Sequence, residues 1–241
     1  MKNNIPPLLI ATALALPILS HAQITNPGFE SGTTGWVNST GDGTLFSAVS
    51  SLASPGFTTV NPTQGTSFGV ISDYGVNAFD GVDTETVSQT FTVSSAGILS
   101  LNYRFLTDAL NVPAYNPSAQ ITLTPAVGSP VTLAGISRND LQADSTDAGP
   151  LSAGAAYQVG GLQVGQSAWQ TAAFDVSSLV GQSVTLAFSV SEGSFPIDSS
   201  LNSELAVDNI AISPVPEPNV GALLAGGFGL LALLKLRQNK F

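Results

Sequence analysis

Cysteine is absent from this 241-residue chain, and histidine occurs once, at His21. Without cysteine there is no disulfide framework, no thiol nucleophile and no thiolate ligand for zinc or iron. His21 lies in an N-terminal segment that we expect to be removed. Its loss would leave no Ser–His or Cys–His catalytic arrangement and no histidine-ligated metal site. Few classes of enzyme remain.

Basic residues are also scarce, since six lysines and arginines stand against sixteen acidic residues. Four of the six lie near the two ends of the chain, at Lys2, Lys235, Arg237 and Lys240. Between the ends only Arg104 and Arg138 remain against fifteen acidic residues, a net charge of −13. Such a domain repels nucleic-acid phosphates and anionic lipid surfaces. We therefore expect no nucleic-acid partner.

Residues 1–22 have the three parts of a secretory signal peptide. Lys2 supplies the positive start, residues 8–19 the apolar stretch, and Ser20-His21-Ala22 the small residues before a cleavage site. The alternative is an uncleaved anchor, but Pro17 interrupts the apolar run, which is too short to span a bilayer. We expect export through the Sec pathway and a mature chain that starts at Gln23.

Residues 214–241 contain a Pro-Glu-Pro element, an apolar stretch and a basic tail, in that order. Because proline disfavours helix, a helix is predicted to begin near Asn219. Residues 220–234 carry no charge, and the basic residues after them predict that this end lies in the cytoplasm. We predict a transmembrane helix. It is short for a bilayer, and tilting and snorkelling side chains can accommodate the difference in length. The alternatives are an ordinary tail anchor and a buried core helix.

This order resembles the PEP-CTERM sorting signal of Gram-negative bacteria that make exopolysaccharide. The motif residues are Pro216, Glu217 and Pro218, although the tail at 235–240 is richer in Asn and Gln than the usual arginine run. The resemblance implies a partner, the exosortase, a membrane protease-transpeptidase that recognises the motif and removes the helix and tail. It also implies a protein anchored transiently in the inner membrane and then delivered to the cell surface or extracellular matrix.

Residues 23–213 have the pattern of one all-β domain. The run at 86–93 alternates apolar and polar side chains, and the run at 98–106 places alternate apolar side chains on one face. Similar runs follow at 119–124, 168–176, 183–190 and 205–212. Many short strands with uneven loops favour a two-sheet β-sandwich, a jelly roll. One helical turn is predicted at 175–181, and the long loop at 138–165 is predicted to be a surface excursion.

Two segments at opposite ends of this domain resemble the first and last strands of carbohydrate-binding-module jelly rolls. They are residues 26–30, Asn-Pro-Gly-Phe-Glu, and residues 205–210, Leu-Ala-Val-Asp-Asn-Ile. In those modules a structural calcium is commonly held between the termini. The resemblance implies that Glu30 and Asp208 are its carboxylate ligands, with backbone carbonyls completing the oxygen shell that Ca²⁺ takes. The alternative is that both are surface turn residues at strand ends.

Other polar and aromatic residues give weaker signals. One acidic set lacks the spacing of a calcium loop and is predicted to be a solvated face: Asp73, Asp80, Asp83 and Glu85. No pair of carboxylates is marked as close enough for glycoside hydrolysis. Trp36 and Trp169 are predicted to lie in the core. Tyr74 and Tyr115 lie in polar loops and are the candidates for binding glycan rings.

Together these features predict a secreted, exosortase-processed protein of the cell surface or of the exopolysaccharide and biofilm matrix, without catalytic activity. Two alternatives remain open. One is a glycan-binding module, which a concave, aromatic-lined sheet face would support. The other is a glycoside hydrolase that uses carboxylates. No cofactor is expected apart from structural Ca²⁺.

Overall fold

The computed structural model describes residues 24–39, 46–52, 59–72, 84–108, 110, 116–146, 163–191 and 202–215. The predicted signal peptide at 1–22 lies outside these residues, as do the Pro-Glu-Pro element and the apolar helix predicted after it. Within the described ranges, no helix is long and apolar enough to cross a membrane.

Twelve strands and two short 3-10 turns make up the regular structure of the described ranges. The 3-10 turns span Arg138–Asp140 and Ser177–Leu179. In chain order the strands are β1 (Val37–Asn38), β2 (Phe46–Val49), β3 (Phe68–Ser72), β4 (Thr84–Thr92), β5 (Gly97–Thr107), β6 (Ser118–Pro125), β7 (Val131–Ser137), β8 (Gln142–Thr146), β9 (Gln163–Gln166), β10 (Gln170–Asp175), β11 (Ser183–Ser191) and β12 (Ser203–Pro214).

The strands form two antiparallel sheets. The five-stranded sheet has the order β1-β4-β11-β6-β7, and the seven-stranded sheet has the order β2-β3-β12-β5-β9-β8, with β10 also paired to β5. From β3 to β6, and again from β10 to β12, each strand lies in the opposite sheet to the strand before it. This alternation is the winding of a jelly roll. The predicted all-β sandwich is confirmed.

The space between the two sheets holds the main core. Alternate side chains of β4 and β5 point into it, as their sequence pattern predicts. Phe29, Phe105 and Phe188 are fully buried there. The ring of Trp36 lies 5.4 Å from that of Phe29 and 5.2 Å from that of Phe188, between ring centroids. The predicted core position of Trp36 is therefore confirmed.

A second apolar cluster lies on the outer face of the seven-stranded sheet. Its buried members are Leu52, Val60, Phe68, Val70, Leu106 and Ala206. Trp169 precedes β10 and packs against this cluster, with its ring centroid 5.8 Å from that of Phe68. Its indole N–H donates to the carbonyl of Asn61 at 3.1 Å. Trp169 thus lies outside the main core that its sequence context predicted, and the seven-stranded sheet is covered on its outer face around β3, β12 and the end of β5.

The predicted surface excursion at 138–165 is wrong in part. Residues 142–146 and 163–166 form β8 and β9, which pair with each other and extend the seven-stranded sheet through β5. β8 reads Gln-Ala-Asp-Ser-Thr and lacks an apolar alternation, because an edge strand needs no such pattern to pair through its backbone. The predicted turn at 175–181 is confirmed: Asp175 accepts the N–H of Ser177 at 2.8 Å, and Gly181 has φ +82°.

Truncating the central aromatic side chain of the core tests this packing. Phe188→Ala should lower the free energy of unfolding by about 3–5 kcal/mol, because it leaves a cavity beside Trp36. Urea denaturation of the purified protein measures the loss. The control is Val127→Ala, since Val127 is 78% exposed and its truncation should change stability by about 0.5 kcal/mol at most. Equal stability of the two variants would contradict the core described above.

Candidate functional site

Asp208 holds the segment that leads into β3, residues 61–67. Its Oδ2 accepts the backbone N–H groups of Thr63 at 2.6 Å and Gln64 at 2.9 Å, and the Thr63 hydroxyl at 2.8 Å. Its Oδ1 accepts the N–H of Asn209 at 2.7 Å. Asp208 is fully buried although it points away from the main core, because this segment covers it. The alternative prediction of a surface turn residue is wrong for Asp208.

Glu30 holds the same segment from the exposed side. Its Oε1 accepts the N–H groups of Thr66 at 2.8 Å and Ser67 at 3.0 Å, and its Oε2 accepts the Thr66 hydroxyl at 2.5 Å. The side-chain hydrogen bond from Thr66, followed by the two backbone hydrogen bonds, lowers the pKa of Glu30. Gly65, which precedes Thr66, has φ +66°, and a Cβ there would collide with the Glu30 carboxylate.

The first turn of the domain has an unusual backbone. Asn26 and Phe29 have φ of +50° and +57°, in the left-handed region that side chains rarely adopt. The turn directs the Phe29 ring into the core, where it lies against Gly69, and leaves Glu30 facing Thr66. The N–H of Ile210 donates to the carbonyl of Pro27 at 3.2 Å, so the turn is bonded to the last strand. Packing and hydrogen bonds hold this conformation.

Gly28 lies near both acidic side chains. A Cβ at Gly28 would lie 3.9 Å from Asp208 Oδ1 and 3.9 Å from Glu30 Cγ, so the missing side chain leaves space between them. Asp208 Oδ1 and Glu30 Oε2 each accept one hydrogen bond and retain lone pairs. These oxygens suit Ca²⁺. Among the described residues no three acidic or histidine side chains could share a metal, so backbone, hydroxyl or water oxygens would have to supply the other ligands.

Several predicted residues lie outside the described ranges. They are Tyr74, Tyr115, Asp73, Asp80, Asp83, Pro216, Glu217 and Pro218. Glu85 is described, and the prediction of a solvated acidic face is wrong for it. Glu85 is 4% exposed and shares the inward face of β4 with Val87.

A buried polar cluster lies at one end of the seven-stranded sheet, around Asn202. The N–H of Asn202 donates to Asp108 at 2.8 Å, its side-chain amide donates to Glu204 at 3.2 Å, and its Oδ1 accepts the Ser72 hydroxyl at 2.7 Å. Asp108 and Glu204 are each 1% exposed. The cluster ties together the ends of β3, β5 and β12. Sequence patterns did not reveal it, because Asp108 and Asn202 are 94 residues apart.

The outer face of the five-stranded sheet is lined by hydroxyl groups, and we call it the hydroxyl face. It consists of the outward side chains of β4, β11, β6 and β7. Serine or threonine fills all five such positions on β4, four of five on β11 and three of four on β6. No charged side chain occupies an outward position on these four strands, all of which are described. The hydroxyl residues are Thr84, Thr86, Ser88, Thr90, Thr92, Ser118, Thr122, Thr124, Thr132, Ser137, Ser183, Thr185, Ser189 and Ser191.

Strand register arranges these hydroxyls in rows. Thr185 pairs with Thr90 on one side and with Thr124 on the other, and the Thr90 and Thr185 hydroxyls are hydrogen-bonded at 2.8 Å. Neighbouring strands lie about 4.8 Å apart, and outward residues repeat about every 6.8 Å along a strand. The alternation in sequence predicts β4, β6 and β11, but it does not predict β7 or which strands become neighbours. The face was therefore missed.

An open depression of about 450 Å³ lies at one end of the hydroxyl face. Its lining includes Thr84, Ser118, Gln120, Gly135, Ser137, Ser189 and Ser191. A Cβ at Gly135 would contact only the Ala119 carbonyl oxygen, at 4.0 Å, so the depression has room for a side chain at this position. Asp140 also lines it and accepts the N–H and hydroxyl of Ser137, both at 2.8 Å. These hydrogen bonds, the backbone one first, lower the pKa of Asp140.

No family model and no curated protein matches this chain. Solved structures of similar fold include the carbohydrate-binding module TmCBM61 in complex with β-1,4-galactotriose, at 14% identity and TM-score 0.43, covering 81% of this chain and all of that one. Another is the K1 cleaved adhesin domain of Lys-gingipain from Porphyromonas gingivalis W83, at 14% and 0.40, covering 78% and 96%. A third is CBM28, a module specific for non-crystalline cellulose, at 12% and 0.40, covering 80% and 96%. At these values the likeness identifies neither a ligand nor a site in this chain.

Proposed function

We propose that this chain is an exported, non-enzymatic glycan-binding protein of the cell surface or exopolysaccharide matrix, and that the hydroxyl face binds the glycan. The observation that carries this proposal is the set of exposed and half-buried serine and threonine side chains that form rows on one sheet. Each hydroxyl donates one hydrogen bond and accepts two, as sugar hydroxyls also do. A sugar chain lying across the strands would therefore meet matching groups at every row.

The chemistry of the face favours a polymer over a small sugar. Each hydrogen bond contributes only about 0.5–1.5 kcal/mol net, because it replaces bonds to water. The outward positions of the four described strands carry no aromatic ring, so stacking adds nothing there. An aromatic-lined face was expected for a glycan binder, and the exposed face is hydroxyl-lined instead. Many parallel hydrogen bonds along an extended chain are then needed for useful affinity.

The buried carboxylates support a non-catalytic role. Among the acidic residues that the structure describes, Asp108 and Glu204 are both bonded to Asn202 beneath the surface. A glycosidase needs its two carboxyl groups on either side of an accessible glycosidic bond. Buried groups that hold strand ends together do not meet that need.

Filling the depression tests the binding surface. Gly135→Gln should weaken the affinity for polysaccharide by about tenfold or more, because it displaces several contacts of about 1 kcal/mol each. Retardation of the protein in polysaccharide-containing native gels measures this affinity. The fold should tolerate this side chain, since the space above Gly135 is open. Thr171→Gln is the matched control, at an exposed position of β10 in the other sheet. If both variants bind like the parent, the hydroxyl face is not the binding surface.

The proposed route to the surface is Sec export followed by exosortase processing. The Pro216-Glu217-Pro218 element before the predicted helix is the proposed recognition motif. Its replacement by three alanines should leave a larger, membrane-retained form, which immunoblots of membrane and released fractions would detect. The double substitution Gln238→Ala and Asn239→Ala in the tail is the control and should be processed. Normal release of the triple-alanine variant would refute the proposed motif.

Structural calcium is proposed for the space over Gly28, held by Glu30 and Asp208. An ion that binds only the folded state stabilises it by about 2.7 kcal/mol at a hundredfold excess over its dissociation constant. Thermal melting should then shift by about 2–4 °C per kcal/mol between EDTA and millimolar calcium, at fixed ionic strength. Asp208→Ala should reduce that shift. Glu30→Gln, a milder substitution at an exposed residue, should reduce it as well. Identical melting midpoints in the two buffers would exclude the ion.

A further inference from the structure

We infer that the glycan of the hydroxyl face is a neutral polysaccharide and not an acidic one. This inference rests on the proposed glycan-binding function and concerns the charge class of the ligand. It is argued from where the few charges of the described residues lie. The secreted polysaccharides of bacteria include neutral, acidic and cationic polymers, so the charge class divides the candidates.

The face offers no cation to an acidic sugar. Its outward side chains on β4, β6, β7 and β11 are all uncharged. The charged side chain that lines the depression is Asp140, whose carboxylate is kept ionised by the donors of Ser137. A uronate placed there would lose part of its hydration without gaining an opposite charge, and it would face a like charge.

Neither arginine of the predicted domain lies on the face. Arg104 belongs to β5 in the seven-stranded sheet, and its guanidinium donates to the side chain of Gln166. Arg138 follows β7, but its guanidinium donates to the carbonyl of Leu110 at 3.5 Å and to Asn139 at 3.1 Å. Arg138 is not among the residues that line the depression. Residues 23–213 contain no other basic residue.

The net charge acts in the same direction at longer range. Fifteen acidic residues against two basic ones give the domain as a whole a negative potential. An acidic polymer is repelled over about 30 Å at 0.01 M salt and over about 8 Å at physiological salt. A neutral polymer is not repelled at either salt concentration, so its affinity should not depend on ionic strength. A cationic polymer would be attracted wherever the acidic residues lie, and salt would weaken that attraction.

The experiment compares the three charge classes at two salt concentrations. The full chain, in a detergent without a sugar headgroup, is tested against hydroxyethyl cellulose, galactan and dextran as neutral polymers, alginate and polygalacturonate as acidic polymers, and chitosan as a cationic polymer. We expect at least one neutral polymer to bind with affinities within about twofold at about 0.02 M and 0.15 M salt. At the lower salt concentration, the acidic polymers should bind at least about tenfold more weakly than the neutral polymer that binds.

Adding one cation to the face should relax this selectivity. Gln120→Lys places an ammonium among the lining residues and should strengthen binding of alginate several-fold at low salt. Thr171→Lys adds the same charge on the other sheet and should not. Tighter binding of an acidic polymer than of any neutral one by the parent protein, or salt-sensitive binding of chitosan alone, overturns the inference and leaves glycan binding standing. Binding of none of the polymers overturns the proposed function itself.

Discussion

The Asp208 carboxylate is buried among N–H and O–H donors, and the positions of three separate segments depend on it. It belongs to the last strand, it accepts three hydrogen bonds from Thr63 and Gln64, and it lies beside the first turn at Gly28. A buried carboxylate is costly unless donors surround it. The donors here come from a segment remote in sequence, so the folded arrangement alone meets that cost. The ends of the domain and the segment before β3 are thereby fixed together.

This attachment explains the difference between the two sheets. Once the segment at 61–67 is held on Asp208 and Glu30, Leu52 and Val60 before it pack with Phe68 over part of the outer face of the seven-stranded sheet. On the five-stranded sheet the outward side chains of β4, β6, β7 and β11 are exposed or half-buried, and most of them are hydroxyls. Apolar residues at these positions would leave a large exposed apolar surface. Covering one sheet and leaving the other polar are two solutions to the same solvation problem.

The sequence predicted local structure well where burial follows a single period. The alternation of β4 and β5, the two-sheet architecture and the core position of Trp36 follow from patterns within a few residues. It failed where a residue's surroundings depend on strand order or on a covering segment. Glu85 occupies an inward position despite its charge, Trp169 serves the outer cluster, and β8 has no apolar pattern. The Asn202 cluster and the hydroxyl face likewise arise from strands brought together by topology.

The composition of the chain and the character of its exposed face are consistent with each other. A domain with fifteen acidic residues resists self-association, because like charges keep its copies apart. The same charge would oppose contact with any acidic polymer, unless the contact surface itself were neutral or basic. The hydroxyl face is neutral, and its hydrogen bonds are weak one by one and insensitive to salt. Under the proposed function, affinity would come from the length of ligand that lies across the rows, and the strand register, more than any single side chain, would determine recognition.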